Sequence, residues 1–491
     1  MLTPTFAAEL RAACHAADYT VPGVVEAIGE PAHRALGRNS TVPAVRALAG
    51  RDDPLATMIM VFILQRPVPR QAIEAAFPGL VPAMIDAGLL RAADGAVTAV
   101  VDLRPYATDD TRPYWVVADL TPGLDTVITP IRPDYVLGVS SASSTLAQLT
   151  VRRPVDRALD LGTGCGVQSL HLADHARRIV ATDLNPRALE LARLTLAIND
   201  VTADLRLGDL LQPVLGERFD LIISNPPYVM APPSPGERRL TYREGDRPGD
   251  GLVEELVRAA PAHLTEGGIC QVLANWAHTR DRDWADRLRD WVTGCDVHVV
   301  QREVLDPAEY VELWLADAGR TGHPGYREDY DGWLEYLTGL GITGVGMGWI
   351  TLRRTDADPD VTIEDWPHAI EQPVAPAIAE RLDAVAELRG LSDADLLDRH
   401  WVVAADVTEE SFATPGSGDP RHIVLRRDRG FRRAVAADTA LAGVVGACDG
   451  ELPLSRIVAA VAQVLDLDPT ALREALLPQL RALVADGFLR S

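Results

Sequence analysis

The sequence predicts an α/β fold: a doubly wound, mostly parallel sheet with further helical domains at the N- and C-terminal ends of the chain. Three observations predict it. Between residues 155 and 274, short apolar runs alternate with amphipathic stretches of helical period, as expected where parallel strands are joined by crossover helices. The run Ala158-Leu159-Asp160-Leu161 enters a glycine turn, Gly162-Thr163-Gly164-Cys165-Gly166, that opens the next helix. A second apolar run, Ile179 to Thr182, ends at Asp183, roughly twenty residues downstream of the turn.

Taken in order, the core reads as strand 155–160, helix 167–176, strand 179–183, helix 186–199, strand 203–207, strand 219–224, helix 251–264, strand 268–274 and a sixth strand 296–303. Asn185 caps the helix that Pro186 begins, and Gly267-Gly268 makes the turn before a strand. In such sheets ligands sit at the carboxyl ends of the strands. Asp160, Asp183, Asp209 and Asn225 all fall at or beside those ends.

The regions before and after the core have a different character. Residues 1–103 read as a helical, winged-helix-like domain, with helical stretches 55–65, 69–77 and 80–90 and a wing strand 96–103. The apolar run Leu55 to Leu64 is too short to span a bilayer and reads as a buried helix. The catalytic domain extends over 104–355, with a hairpin connector at 114–131 turning at Thr121-Pro122-Gly123 and an insertion at 306–340. In that insertion Tyr310, Trp314, Tyr326, Tyr330, Trp333 and Tyr336 read as an accessory core. Residues 356–491 read as an acidic linker with one helix, 374–389, followed by helices 439–447, 454–465 and 470–486 of a second winged-helix-like domain. Asp86-Ala87-Gly88-Leu89-Leu90-Arg91 near the first end has a counterpart in Ala485-Asp486-Gly487-Phe488-Leu489-Arg490 at the second.

Two stretches carry chemistry. The glycines allow backbone to approach a ligand where a Cβ would collide, and a carboxylate at Asp183 is placed to bind ribose hydroxyls, which together describe a nucleoside cofactor site. The second stretch is Asn225-Pro226-Pro227-Tyr228, directly after the run Phe219 to Ser224. Its prolines remove two N–H donors and stiffen the exit from the sheet, so acceptors remain. The Asn225 side-chain oxygen and the Pro226 carbonyl can both accept from one planar –NH2 group, and the Tyr228 ring offers a stacking face. Holding both hydrogens favours a pyramidal nitrogen whose lone pair can attack an electrophile. Gly138 and Ser140 to Thr145 are placed to line the same cofactor, and Tyr242, Arg243 and Glu244, in a Pro/Gly-rich lid at 231–250, are the substrate-contact candidates.

These residues resemble the class I S-adenosylmethionine-dependent methyltransferases with an NPPY motif, the HemK-type glutamine N-methyltransferases and the small-domain RNA base methyltransferases. The resemblance implies a Rossmann-like fold with S-adenosyl-L-methionine as cofactor. It implies that Asp183 binds the ribose, Asp209 the adenine amino group, and Gly162, Gly164 and Gly166 the methionine and ribose side, with Asp160 and Asn225 in the same cofactor site. Asn225, Pro226, Pro227 and Tyr228 are then the catalytic residues. The stretch Pro133 to Leu149 leads into the fold, and there the chain lacks the arginine-proline-glutamate stretch of the HemK pattern.

Composition narrows the partners. The net charge is −23, and all 47 basic residues are arginine. Such a surface argues against strong nonspecific binding to a nucleic-acid backbone. Residues 151–250 are nearly balanced at 13 basic to 14 acidic, whereas 301–400 carry 8 to 21. The five cysteines have no paired spacing, so neither a zinc site nor a disulfide framework is expected. His171 and His175 read as an exposed helix end, and no metal is expected. With no signal peptide and no membrane-spanning run, a cytoplasmic protein is expected. The expected acceptor is a planar amino or amide nitrogen on a macromolecule of the translation apparatus, a protein glutamine or an RNA base; a small natural product is the alternative. A reading from another class is a regulator that senses the cofactor through its core and acts through its terminal domains.

Overall fold

The computed structural model describes residues 3–107, 112–127, 129–233, 240–416 and 420–491. The chain forms two compact units, one of residues 1–147 and 153–366, the other of 148–152 and 367–491.

The first unit is built on an eight-stranded sheet. In chain order its strands are β1 (Val155–Leu161), β2 (Ala176–Asp183), β3 (Asp204–Leu207), β4 (Phe219–Ser224), β5 (Leu264–Thr279), β6 (Cys295–Leu305), β7 (Ile342–Arg354) and β8 (Val361–Asp365). They lie in the order 8-6-7-5-4-1-2-3. All neighbours are parallel except those of β7, which runs antiparallel between β5 and β6. This is the doubly wound sheet the alternation predicts, with one reversed strand. Strand order reverses beside β1, which pairs with β2 on one side and β4 on the other, so a crevice opens at their carboxyl ends. Leu159, Val180, Phe219, Ile222 and Val272 fill the core on which the sheet rests.

The helices that position the site are α1 (Val167–Leu172), α2 (Pro186–Ile198), α3 (Gly251–Ala259), α4 (Pro307–Asp317) and α5 (Tyr326–Gly339). The Asn185 side chain accepts from the N–H of Arg187 and caps α2. Tyr310 and Trp333 of α4 and α5 are buried in a separate cluster with Val229 and Met230, an accessory core as expected.

Several expectations are corrected. Strand β8 lies in what reads as acidic linker; it pairs in parallel with β6, so the first unit ends at Trp366 and not at residue 355. Acidic neighbours mask its short alternation of Val361 and Ile363. Strand β5 begins at Leu264, and Gly267 (φ +72°) sits at an irregularity in its pairing with β4 instead of a turn before it. The hairpin is not at 114–131. Pro113–Asp119 pairs antiparallel with Val101–Ala107, and residues after Gly123 form no strand through Ser140 among those described. That hairpin crosses the expected boundary at 103/104, and residues 1–147 cluster with the core in one unit. Its outer strand is held by α2: Trp115 N–H donates to Asn199 Oδ1 (3.0 Å), and Val117 N–H to Thr195 Oγ1 (2.9 Å).

Within residues 54–99 the order is helix Pro54–Met58 continuing as a π-helix to Ile63, strand Val68–Pro69, helices Arg70–Ala76 and Val81–Asp86, and a hairpin of Leu90–Ala93 with Ala96–Ala99. The segment at 90–93 is a strand and not the end of a helix. Asp94 and Gly95, both at positive φ (50° and 78°), make the two-residue turn that reverses it.

In the second unit, helices Thr439–Gly446, Leu454–Val464 and Pro469–Ala485 pack with Trp401 and Phe488, and Leu489–Arg490 pairs with Val402–Val403. An unexpected antiparallel sheet of Val407–Phe412, His422–Arg427 and Ala434–Ala437 precedes those helices. Among the described residues no helix is long and apolar enough to cross a membrane.

Candidate active site

At the end of β1 the chain turns through three glycines at positive φ, Gly162 (76°), Gly164 (56°) and Gly166 (85°), a conformation that side chains with a Cβ resist. Their surroundings differ. A Cβ on Gly164 would meet nothing within 4 Å, so this residue faces open space, whereas one on Gly166 would come within 3.2 Å of Ala192 in α2. Gly166 therefore lets α1 and α2 pack together, and it is not among the lining residues of the two cavities described below. The turn is tied to β2, because Gly162 and Thr163 N–H both donate to the Thr182 carbonyl (2.9 Å each).

Two carboxylates organise this wall. Asp183, the last residue of β2, accepts from Gly164 N–H (2.9 Å) and from Asn185 N–H (2.8 Å). Burial pushes its carboxyl above the usual range, against the pull of those two bonds. Asp160 points into the protein. It is 1% exposed and accepts from Thr163 Oγ1 (2.6 Å) and Ser169 Oγ (2.7 Å), and burial raises it to about 6. These bonds brace the turn, and Asp160 is not among the lining residues of the two cavities described below.

Two cavities meet at Gly162 and Asp183. One, about 60 Å³, is lined by Leu184, Asp209, Leu210, Pro226, Pro227 and Arg247 among others. The other, about 100 Å³, is lined by Gly138, Ser140, Ser143, Gly164, Gln168 and Asn225 among others. Asp183 lines both, with Asp209 in the lining of the first and Asn225 in that of the second. Gln168, unnoticed in the sequence, donates from Nε2 to the Ser143 carbonyl (2.7 Å), and its Oε1 is buried without a partner among the described residues. A glutamine at the second position of the helix that the glycine turn opens is the available signal.

Asp209 does not stand free. Arg247 Nη2 donates to its Oδ2 (2.8 Å), and the same guanidinium binds Glu255 (2.8 Å). Arg247 was not singled out from the sequence. Arg243 and Glu244, expected substrate contacts, are instead buried and bonded to each other (2.9 Å), with Arg243 also on Asp317 and the Trp314 carbonyl. They fix the returning segment to α4. Tyr242 does line the second cavity and donates to Asp317 (3.1 Å). Residues 234–239 of the expected lid lie outside the described residues.

Asn225 follows β4 directly, and its Oδ1 is buried with no hydrogen-bond partner among the described residues. Such an atom costs about 1–3 kcal/mol unless a donor arrives. Pro226 and Pro227 line the first cavity. Tyr228 lines neither cavity; its ring packs edge-on to Trp314 (6.3 Å between centroids, 67°), and burial pushes its hydroxyl up to about 12. It is thus a neutral phenol, held in the aromatic cluster.

His171 is not an exposed helix end. It is 5% exposed, and its Nε2 lies 2.8 Å from the Tyr106 hydroxyl. Cys165 is buried, with its thiol pushed up to about 12, in keeping with a packing role. Among the described residues no cluster of three or more histidine, cysteine or carboxylate side chains is arranged to hold a metal ion.

Comparison with known proteins places this geometry. Residues 138–298 match the methyltransferase small domain, and residues 16–100 and 379–491 match two domains of unknown function. The chain is 31% identical over 136 residues to a putative protein N5-glutamine methyltransferase of Methanocaldococcus jannaschii, spanning 27% of this chain and 67% of that protein. It is 31% identical over 140 residues to the ribosomal RNA small subunit methyltransferase C of Salmonella arizonae (28% of this chain, 36% of that protein). It is 37% identical over 131 residues to the ribosomal protein uL3 glutamine methyltransferase of Bradyrhizobium diazoefficiens (24% and 41%). The chain thus spans between about a third and two thirds of the length of these relatives. With the doubly wound 3-2-1-4-5-7-6-8 sheet, the small-domain match and the similarity to the Methanocaldococcus jannaschii protein over two thirds of its length, the chain belongs to the class I S-adenosylmethionine-dependent methyltransferases.

Proposed function

We propose that this protein transfers a methyl group from S-adenosylmethionine to a planar amino or amide nitrogen on a macromolecule of the translation apparatus, a protein glutamine or an RNA base. The observation that carries the reading is the buried, unpartnered Oδ1 of Asn225 beside the cofactor cavity. An acceptor held there without a donor, next to the Pro226 carbonyl, suits an amide or exocyclic amine, which brings two N–H donors, over a hydroxyl, which brings one, and over a carbon centre, which brings none. The same donor classes appear in the names of the relatives, which act on glutamine or on ribosomal RNA.

The residues present fit the cofactor. Asp183 would hold the ribose, Asp209 the adenine amino group once Arg247 yields it, Gly164 the close backbone approach, and Gln168 Oε1 the ammonium of the methionine part. The cofactor supplies a methyl group activated by a sulfonium. The protein's own part is alignment: Asn225 Oδ1 and the Pro226 carbonyl accept the two hydrogens of the nitrogen, turn its lone pair toward the cofactor, and stabilise the positive charge that develops on it. No strong base is needed, because the nitrogen becomes acidic as it is alkylated. Tyr228, a neutral phenol, does not take that proton.

The flanking helical regions are read as docking modules and the protein as cytoplasmic. Weak binding of bulk RNA and duplex DNA at physiological salt is expected of this surface. Incubation with methyl-labelled cofactor and a fractionated lysate, followed by separate digestion of RNA and protein, tests the function. Label recovered on an amide or amino nitrogen supports the reading, and label on oxygen or carbon overturns it.

A further inference from the structure

Residues 244–247 line the cavity that holds Asp209, and the segment they belong to is anchored on both sides. On one side Val229 N–H, just past the catalytic stretch, donates to the Arg243 carbonyl (2.9 Å), and a Cβ added to Gly245 would lie 3.3 Å from the Pro227 carbonyl. On the other, Gly249 N–H donates to the Tyr336 hydroxyl of α5 (2.9 Å), and Asp250 accepts from Ala277 N–H (2.8 Å). Between these anchors Arg247 reaches into the cavity wall and is shared among three carboxylates. Nη2 donates to Asp209 Oδ2 (2.8 Å), Nε and Nη2 to Glu255 of α3 (2.8 and 3.2 Å), and Nη1 to Asp246. The bonds to Glu255 push the Arg247 guanidinium up more than those to Asp209 or Asp246 do. The sharing is one-sided: among the described residues Asp209 has Arg247 as its one side-chain partner. Arg247 therefore keeps two carboxylates when it lets go of Asp209, and Asp209 can change partner. A neutral amino group that comes to Asp209 must displace a charge-assisted bond, roughly twice as strong as a neutral one.

We propose that Arg247 sets the affinity for the adenine end of the cofactor by competing with its amino group for Asp209. The proposal rests on the assignment of Asp209 to that amino group. With the site empty, Arg247 holds Asp209. As the cofactor enters, the amino group takes the Asp209 oxygen, and the guanidinium stays with Glu255 and Asp246. The demethylated product carries the same adenine, so Arg247 competes with it too and favours its release. Glu255 sets the balance, because the more firmly it holds the guanidinium, the less firmly Arg247 holds Asp209. A residue that only braced the wall would behave differently: loss of Arg247 and loss of Glu255 would both weaken binding. For a competitor the two losses have opposite signs.

The test is calorimetry of the full chain with two ligands, S-adenosyl-L-homocysteine and its analogue with hydrogen in place of the adenine amino group. Arg247→Gln is expected to bind S-adenosyl-L-homocysteine about three- to tenfold more tightly than wild type, and Glu255→Gln about threefold more weakly. The analogue, which brings no donor for Asp209, should bind all three proteins within about twofold of one another. The Glu255 side chain is 51% exposed, so Glu255→Gln gives its own reading even where Arg247→Gln, which leaves three carboxylates without their cation, loses stability. If both variants weaken S-adenosyl-L-homocysteine, or neither changes it, the competition is overturned while a preference for the amino-bearing ligand keeps Asp209 in place. If Arg247→Gln binds the two ligands equally, Asp209 does not read the amino group, and the assignment beneath the proposal falls with it.

Discussion

The two walls of the site are held in shape by different means. On the glycine-turn wall, Asp160 and Asp183 each accept two hydrogen bonds, from Thr163 and Ser169 and from Gly164 and Asn185, so internal bonds set the cofactor cradle. On the facing wall, two prolines and aromatic packing set the backbone, and Asn225 Oδ1 is left without a donor among the described residues. The carboxylates of the first wall are bonded before any ligand arrives, and Gln168 Oε1 beside them is left for the cofactor. The second is completed by the substrate nitrogen. Binding energy realised only as the nitrogen becomes charged favours the transition state over the ground state, which is where catalysis needs it.

The most direct way to break this contrast is Asn225→Ala. Removing the acceptor should leave cofactor affinity nearly unchanged and lower methyl transfer by on the order of a hundredfold or more. Single-turnover rates beside calorimetry with the cofactor separate the two. A variant that turns over like wild type would sink the assignment of this wall.

Asp160 tests the other wall through pH. Burial raises its carboxyl to about 6 in the folded protein, against about 3.9 unfolded. Below about pH 4 both states are protonated and the residue has no effect on the balance. As pH rises toward 6 the unfolded chain ionises first, so folding loses stability; above 6 the loss is complete, at most about 3 kcal/mol. Asp160→Asn cannot ionise. Urea unfolding from pH 4 to 7 should therefore show the variant gaining on wild type with rising pH and levelling off above 6. A constant offset across that range would mean that the carboxyl is not shifted.

What the sequence made legible follows the same division. The strand ends, the glycine turn, Asp183 and Asn225 were readable because local signals, apolar runs and residues of fixed conformational meaning, agree with the global fold. What stayed hidden came from tertiary partners. Gly166 looks like its two companions until Ala192 of α2 is placed 3.2 Å from its missing Cβ. Arg243 and Glu244 look like lid residues until Asp317 and Trp314 approach from α4, more than seventy residues away. The hairpin was misplaced because its outer strand takes side-chain bonds from α2, which no turn signal announces. Strand β8 was hidden because an acidic edge strand reads as a solvated linker.

Asp183→Ala sharpens the cofactor side. Its two backbone donors can turn to water, so the main loss is the carboxylate's bonds to ribose hydroxyls, about 1.5–3 kcal/mol of cofactor affinity. Calorimetry on the folded variant measures it. Unchanged affinity would take Asp183 out of the site.

The smallest effect is expected at Tyr228, and it decides how the second wall is held. The ring lies against Trp314 and lines neither cofactor cavity, and its hydroxyl is pushed up to about 12 by burial. If the ring's role is to fix the backbone that carries Asn225 and Pro226, the hydroxyl is dispensable. Tyr228→Phe should then keep methyl transfer within about twofold, because the edge-to-face contact needs only the ring. Tyr228→Ala, which removes that contact, should lower kcat and stability together, and a Trp314→Ala variant should reproduce its loss. A large loss of kcat in Tyr228→Phe, with cofactor affinity and stability preserved, would instead place the hydroxyl on the substrate. The second wall would then offer two polar contacts to the substrate, and Asn225 would no longer stand alone in the comparison.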